Sequence, residues 1–416
     1  MVTGKFFFMR LFRGLFYLHL LLIAVLVIFL TIRGFLSAGK DRRFHHLKWY
    51  APLLSSIACG GAIALAWQSI TRCNPSGAVR AAFWLSPLLT CGVGVLFVSI
   101  GFTGSLAAGV LVLVFSVIQS LYACWVNPRF EYATKVLSIS MAPSPPSTGF
   151  VFLSVVSGTV YATFLVAGIG GATAIGTSID TVFILVILLS LAWTMHVIRN
   201  ILHVTMARIV FLKFMCGIEF DTQVALLDTI RYLVGSICIG SVLAPVLGVI
   251  RGSARAMNLV AGDTDEFMFS CANCYSGVAS TLIMYGNRWG FVHVGVCNKG
   301  FVQASGETWE MFKRAELEPV INYDLTGSFC FLSGVAVGAI CTLVAGSWAL
   351  VIHKSYATEV SIYAFLIGYL ICRIAMAWPQ ACVSAYYVAY SEDPQSVRFD
   401  STTIQDCIHR IQRYRA

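Results

Sequence analysis

The chain has 416 residues, of which 58% are hydrophobic and only 11% charged, with a mean hydropathy of +0.81. That balance excludes a soluble globular protein of this size, because too little polar surface exists to cover it. The formal net charge of +9 comes from basic residues in the connections between apolar runs, so no nucleic-acid partner is expected and the bilayer is the expected environment.

Apolar runs of about 20 residues, long enough to cross ~30 Å of hydrocarbon, recur along the chain. They predict an all-α, polytopic integral membrane helix bundle of about ten spans, a single transmembrane domain over residues 1–416. In chain order the first five are Phe16–Leu36, Tyr50–Ile70, Ala81–Phe102, Gly104–Trp125 and Gly149–Gly171. Next come Asp180–Leu202, Leu227–Ile250, Cys271–Phe291, Gly327–Ile352 and Val360–Ala381. The basic residues before Phe16 and small residues after it also fit a signal peptide, but the long apolar core favours a retained span. Placing both termini in the cytosol puts most Lys and Arg on the cytosolic side, with Arg33, Lys40, Arg42, Arg43 and Lys48 as the exception in the first outer loop.

The connections are too short to bury an independent core. MAPSPPSTG before the fifth span is a Pro-rich turn, and AGIGGATAIG, Ala167–Gly176, reads as a flexible outer turn without the lysine of a phosphate-binding loop. Residues 298–318 alternate Phe301, Ala304, Trp309 and Phe312 with Glu307, Glu310, Lys313 and Arg314. This predicts an amphipathic helix on the cytosolic surface or tucked under the bundle, and 391–416 a cytosolic tail. Most of the 14 cysteines fall within spans, where a thiol packs as a small apolar group. The CANC spacing at Cys271–Cys274 lacks the second pair that a structural zinc requires, and no metal or cofactor is expected.

The sixth span carries the strongest polar signal. WTMHVIRNILHV, Trp193–Val204, holds two histidines, an arginine and an asparagine. At ~100° per residue, Trp193, His196, Arg199, Asn200 and His203 share a stripe about 120° wide. Facing lipid, the arginine alone would cost about 2.5–3.5 kcal/mol, so the stripe must meet protein, water or the interface. Interhelical hydrogen bonding explains any one of these residues, whereas a substrate path explains the group. Elsewhere Asp228, Arg231 and Tyr232 open the seventh span, and Arg373, Trp378 and Pro379 mark the tenth. Asp228 and Arg231 lie on one helix face, and a carboxylate beside aromatic rings is what a cationic substrate needs. GSICIG at Gly235–Gly240 and GVAVG at Gly334–Gly338 place small residues where helices can approach.

The blocks WTMHVIRNILHVTMARI, GSICIGS, NRWGFVHVGVCNKGFVQASGETW, DLTGSFCFLSGVAVG and RIAMAWPQACVSAYYVAYSEDP, taken together and in order, resemble the choline transporter-like family, which includes Pns1-like fungal proteins. The large first extracellular loop of animal members is missing, as in plant, fungal and protist relatives, and Arg208 stands where a small residue is expected. The resemblance implies a non-enzymatic solute carrier moving choline, or ethanolamine, across the plasma membrane or an organelle membrane such as the mitochondrial one. Choline's trimethylammonium would rest on Trp193 with Tyr232 or Trp378, and its hydroxyl would bond Asn200, His196 or His203. His196, His203 and Asp228 are the proton-coupling candidates. Two other classes compete. A phospholipid-synthesising phosphotransferase is disfavoured, because RGSARAM at Arg251 lacks the required aspartates. A non-transporting assembly protein would use the stripe only to bind helices together.

Overall fold

In the computed structural model the described residues are 2–38, 45–145, 149–261, 277–278, 281–282, 284–394 and 402–408, and all regular structure among them is helical. In chain order the helices are α1 Val2–Ala38, α2 His46–Cys73, α3 Pro75–Ile100, α4 Thr103–Val126, α5 Phe130–Met141, α6 Gly149–Ile175, α7 Ser178–Cys216 and α8 Thr222–Asp228. They continue with α9 Val234–Ala261, α10 Gly290–Cys297, α11 Phe301–Arg314, α12 Glu318–Tyr323, α13 Thr326–Ile352, α14 Ala357–Ala375 and α15 Ala377–Glu392. Among the described residues, 9 helical stretches are long and apolar enough to cross a membrane, so the chain is a polytopic integral membrane bundle. Of the expected eighth span, Cys271–Phe291, residues 271–276, 279–280 and 283, with both cysteines of CANC, lie outside the described residues, and α10 begins only at Gly290.

Local chemistry sets the helix ends. The Asn74 side chain accepts a hydrogen bond from Gly77 N at 2.9 Å, and Pro75 occupies the first turn, so α3 starts there. Thr177 and Asp180 form a capping box that starts α7, and Gly217 at φ +68° closes it.

Packing places α13 and α14 together at the centre, with α2 and α3 against them and α4 outside α3. Small residues permit the central contact: a Cβ at Gly338 would sit 2.9 Å from the Phe365 carbonyl oxygen. The helix α6 joins α1, α2 and α7, while α7 also packs on α10 and α15. Outward side chains such as Leu111 (70% exposed) and Val249 (72%) form an apolar face suited to lipid.

Several expected boundaries change. Helix α7 continues through Cys216 instead of stopping near Leu202. Its 39 residues measure about 58 Å, nearly twice the hydrocarbon thickness, so the polar stripe lies mid-helix where α10 and α15 cover it. Pro379 does not kink a continuous span: α14 ends at Ala375 and the proline lies in the first turn of α15, where its missing N–H is tolerated. AGIGGATAIG is not a flexible turn either. It is helical through Ile175, and a Cβ on Gly171 would collide with the Leu30 carbonyl of α1. Helix α11 buries Phe301, Ala304, Trp309 and Phe312 against the bundle. In the tail, 402–408 is helical, with Ile404 and Cys407 buried.

Candidate functional site

The stripe on α7 meets a different neighbour at each level. Trp193 faces α1, where its ring centroid is 4.7 Å from His19 and 5.4 Å, edge-on, from Phe16. Its indole Nε1 and Nδ1 of half-buried His196 have no hydrogen-bond partner among the described residues. One turn further on, the Arg199 guanidinium donates to Asn200 Oδ1 at 3.0 Å and to Gln380 Oε1 of α15. Asn200, 1% exposed, donates from Nδ2 to Ser241 Oγ of α9 at 2.9 Å. Ser241 Oγ in turn donates a hydrogen bond to the Ile237 carbonyl at 2.7 Å. A polar seam, Gln380–Arg199–Asn200–Ser241, therefore links α15, α7 and α9 inside an otherwise apolar bundle. Below it His203 is buried with both ring nitrogens unpartnered among the described residues, its ring 5.7 Å from Phe291 of α10.

Two more arginines converge on this region. Arg373, in the last turn of α14, lies over Gly334 of α13, where a Cβ would come within 3.1 Å of its Cδ. Its Nε and Nη1 are buried without partners among the described residues. Arg288 donates to Asp324 Oδ2 at 2.9 Å and stacks on Trp289 at 4.6 Å, with Asp324 fully buried. Asp324 Oδ1 accepts from Thr326 N at 3.1 Å and from Thr326 Oγ1 at 2.6 Å, holding the start of α13. Arg288 also meets α13: a Cβ at Gly327, seven residues before Gly334, would lie 2.5 Å from its Nη1. Beside this group a cavity of about 320 Å³ opens between α9, the 286–289 turn and α13, lined by Asn287, Arg288, Trp289, Asp324 and Ser328.

Other expected site residues lie elsewhere. Tyr232 is 63% exposed in a π-helical turn, Thr229–Leu233, and is not brought to the seam. Trp378 is buried, but its ring carries the Arg72 guanidinium of α2 at 5.8 Å, on a face away from Gln380. Asp228 pairs with Arg208 of α7 at 3.2 Å rather than with its helix neighbour Arg231, which gives the unexpected Arg208 a partner. Arg208 also covers Phe220 at 4.8 Å. Arg33 pairs with Asp180 at 2.9 Å, tying α1 to the start of α7. Among the described residues no group of three His, Cys, Asp or Glu is placed to hold a metal.

Sequence reasoning missed Gln380, Ser241 and the Arg288–Asp324 pair. Gln380 and Ser241 are single polar residues in apolar runs, the one signal available for each. Arg288 and Asp324 are 36 positions apart, and nothing local couples them.

Residues 110–395 match the family described as plasma-membrane choline transporter. Among similar proteins, Protein PNS1 of Neurospora crassa is 24% identical over 337 residues, covering 73% of this chain and 60% of that protein. Protein PNS1 of Mycosarcoma maydis is 23% identical over 382 residues, covering 84% and 71%. A CTL-like protein of Dictyostelium discoideum is 21% identical over 352 residues, covering 79% and 60%. Against PNS1 of Gibberella zeae the match takes in 43% of the relative's length, so the chain spans about half of several relatives it resembles. With well over half of its residues inside the family's pattern, and with the helical membrane architecture described above, this chain belongs to the plasma-membrane choline transporter family.

Proposed function

We propose that the chain is a solute carrier that moves a small amino-alcohol cation, choline or ethanolamine, across a membrane by alternating access. The observation that carries this reading is the polar seam Gln380–Arg199–Asn200–Ser241, which crosses three helices of a bundle whose family is described by choline transport. Trp193, with Phe16 and His19 beside it, supplies ring faces for a trimethylammonium group. Asn200, His196 and His203 lie further along the same stripe as partners for a hydroxyl. Nδ1 of His196 and both ring nitrogens of His203, unpartnered among the described residues, suit proton coupling, and Asp228 is a third coupling candidate. Tyr232 and Trp378 enter the path only in another state of the transport cycle, after a helix movement that brings them to the stripe. The plasma membrane is the proposed location, with both ends of the chain cytosolic.

A second reading is favoured by one observation: Asn200 already hydrogen-bonds two partners, and the Trp378 ring already carries Arg72. A non-transporting assembly protein would use the seam in this way. Saturable uptake of radiolabelled choline into proteoliposomes supports the carrier. Intact, folded protein that gives no uptake, and that choline does not stabilise thermally over a matched neutral alcohol, supports the assembly reading.

A further inference from the structure

Arg288 and Arg373 rest against Gly327 and Gly334 of α13, Arg199 bonds Gln380 of the neighbouring α15, and of these three half-buried arginines only Arg288 is paired with a carboxylate among the described residues. Arg199 bonds two neutral amide oxygens, and Nε and Nη1 of Arg373 have no hydrogen-bond partner among the described residues. Asp324 cancels one charge and leaves two uncompensated. Among the described residues, Nε of both Arg199 and Arg288 and both ring nitrogens of His203 are also buried without partners. Buried polar groups are nearly always satisfied, and unpaired buried charge costs several kcal/mol. Converging orphan donors with excess positive charge form a receptor for anionic oxygen. Bare choline would add a further positive charge here and bring one hydroxyl.

We propose that Arg199, Arg288 and Arg373 bind a phosphate group. The assignment rests on the α7 stripe being the substrate path. Trp193 lies about 9 Å from Arg199 along α7, so one face of the helix offers an aromatic surface at one level and guanidinium donors at the next. That arrangement matches a zwitterion with a quaternary ammonium and a phosphate, or choline accompanied by a free phosphate ion.

The test uses the full chain in nanodiscs, titrated separately with phosphocholine, inorganic phosphate and choline. Phosphocholine is expected to bind saturably, with Arg373→Gln and Arg199→Gln each weakening binding by about tenfold or more and Arg373→Lys weakening it less. Arg373→Gln is the cleaner variant, since Nε and Nη1 of Arg373 make no hydrogen bond among the described residues. Arginine-dependent binding of phosphocholine alone identifies the phosphate as part of the substrate. Equal arginine-dependent binding of inorganic phosphate identifies a separate anion. Failure of both to bind, or binding unchanged in both Gln variants while they remain folded, overturns the proposal. Choline uptake by protein that binds neither anion would overturn this assignment alone, and anion binding without choline uptake would overturn the choline reading alone.

Discussion

Removing the Asn200 side chain tests whether the seam contributes energy. Asn200→Ala deletes a hydrogen bond from a charged donor, Arg199 at 3.0 Å, and a neutral one to Ser241 at 2.9 Å. At about 1.5–3 and 0.5–1.5 kcal/mol net, the loss is about 2–4 kcal/mol. Ser241→Ala removes only the neutral bond and leaves the Asn200 amide one partner short, at about 1–3 kcal/mol. A double-mutant cycle of the two, read from reversible unfolding in mixed micelles, is expected to give a coupling of about 0.6–1.5 kcal/mol. Zero coupling, or an Asn200→Ala protein as stable as the parent, would refute the claim that these buried groups hold α7 to α9.

Gly171→Val, by colliding with the Leu30 carbonyl, is expected to cost about 1–3 kcal/mol and to loosen α1 from α6, measured as faster alkylation of a cysteine introduced at Leu30. Asp324→Asn removes the carboxylate from a buried pair and leaves Arg288 uncompensated, a loss of about 3–5 kcal/mol that detergent-resistance melting would detect. On the surface of α11, burial works against ionisation of Glu307, but hydrogen bonds from Lys299 (2.5 Å) and Gln303 (2.5 Å) outweigh it and hold the carboxyl below its ordinary value. A carboxyl depressed in the folded state stabilises fully above its unfolded pKa of about 4.3, and the contribution disappears as pH falls through the lowered folded value. The melting temperatures of the parent and Glu307→Gln should therefore differ at neutral pH and converge in strong acid. A gap that persists there would contradict the assignment.

The bundle was legible because its information is local: runs of apolar residues and a helical stripe from Trp193 to His203 need no tertiary contact to be read. The errors came where packing overrides a local cue. The sixth span was expected to end at Leu202, yet α7, packed on α10 and α15, continues to Cys216. The glycines of AGIGGATAIG suggested a turn, yet they bring α6 against α1. The composition of the site was only half visible. Trp193, His196, Asn200 and His203 lie on one helix and declare themselves by period. Arg373 stood out singly, but its place with Arg288 against α13, next to the Arg199–Gln380 bond, depends on elements meeting in the fold, as does the choice of Asp228 to pair with Arg208 rather than Arg231.

The central claim is carriage of a choline-like solute along the α7 stripe, and radiolabelled choline uptake into proteoliposomes tests it most directly. The account predicts saturable uptake above protein-free vesicles, sharply reduced by Trp193→Ala. Uptake equal to that of empty vesicles would contradict the function, and uptake unchanged by Trp193→Ala would contradict the place assigned to it.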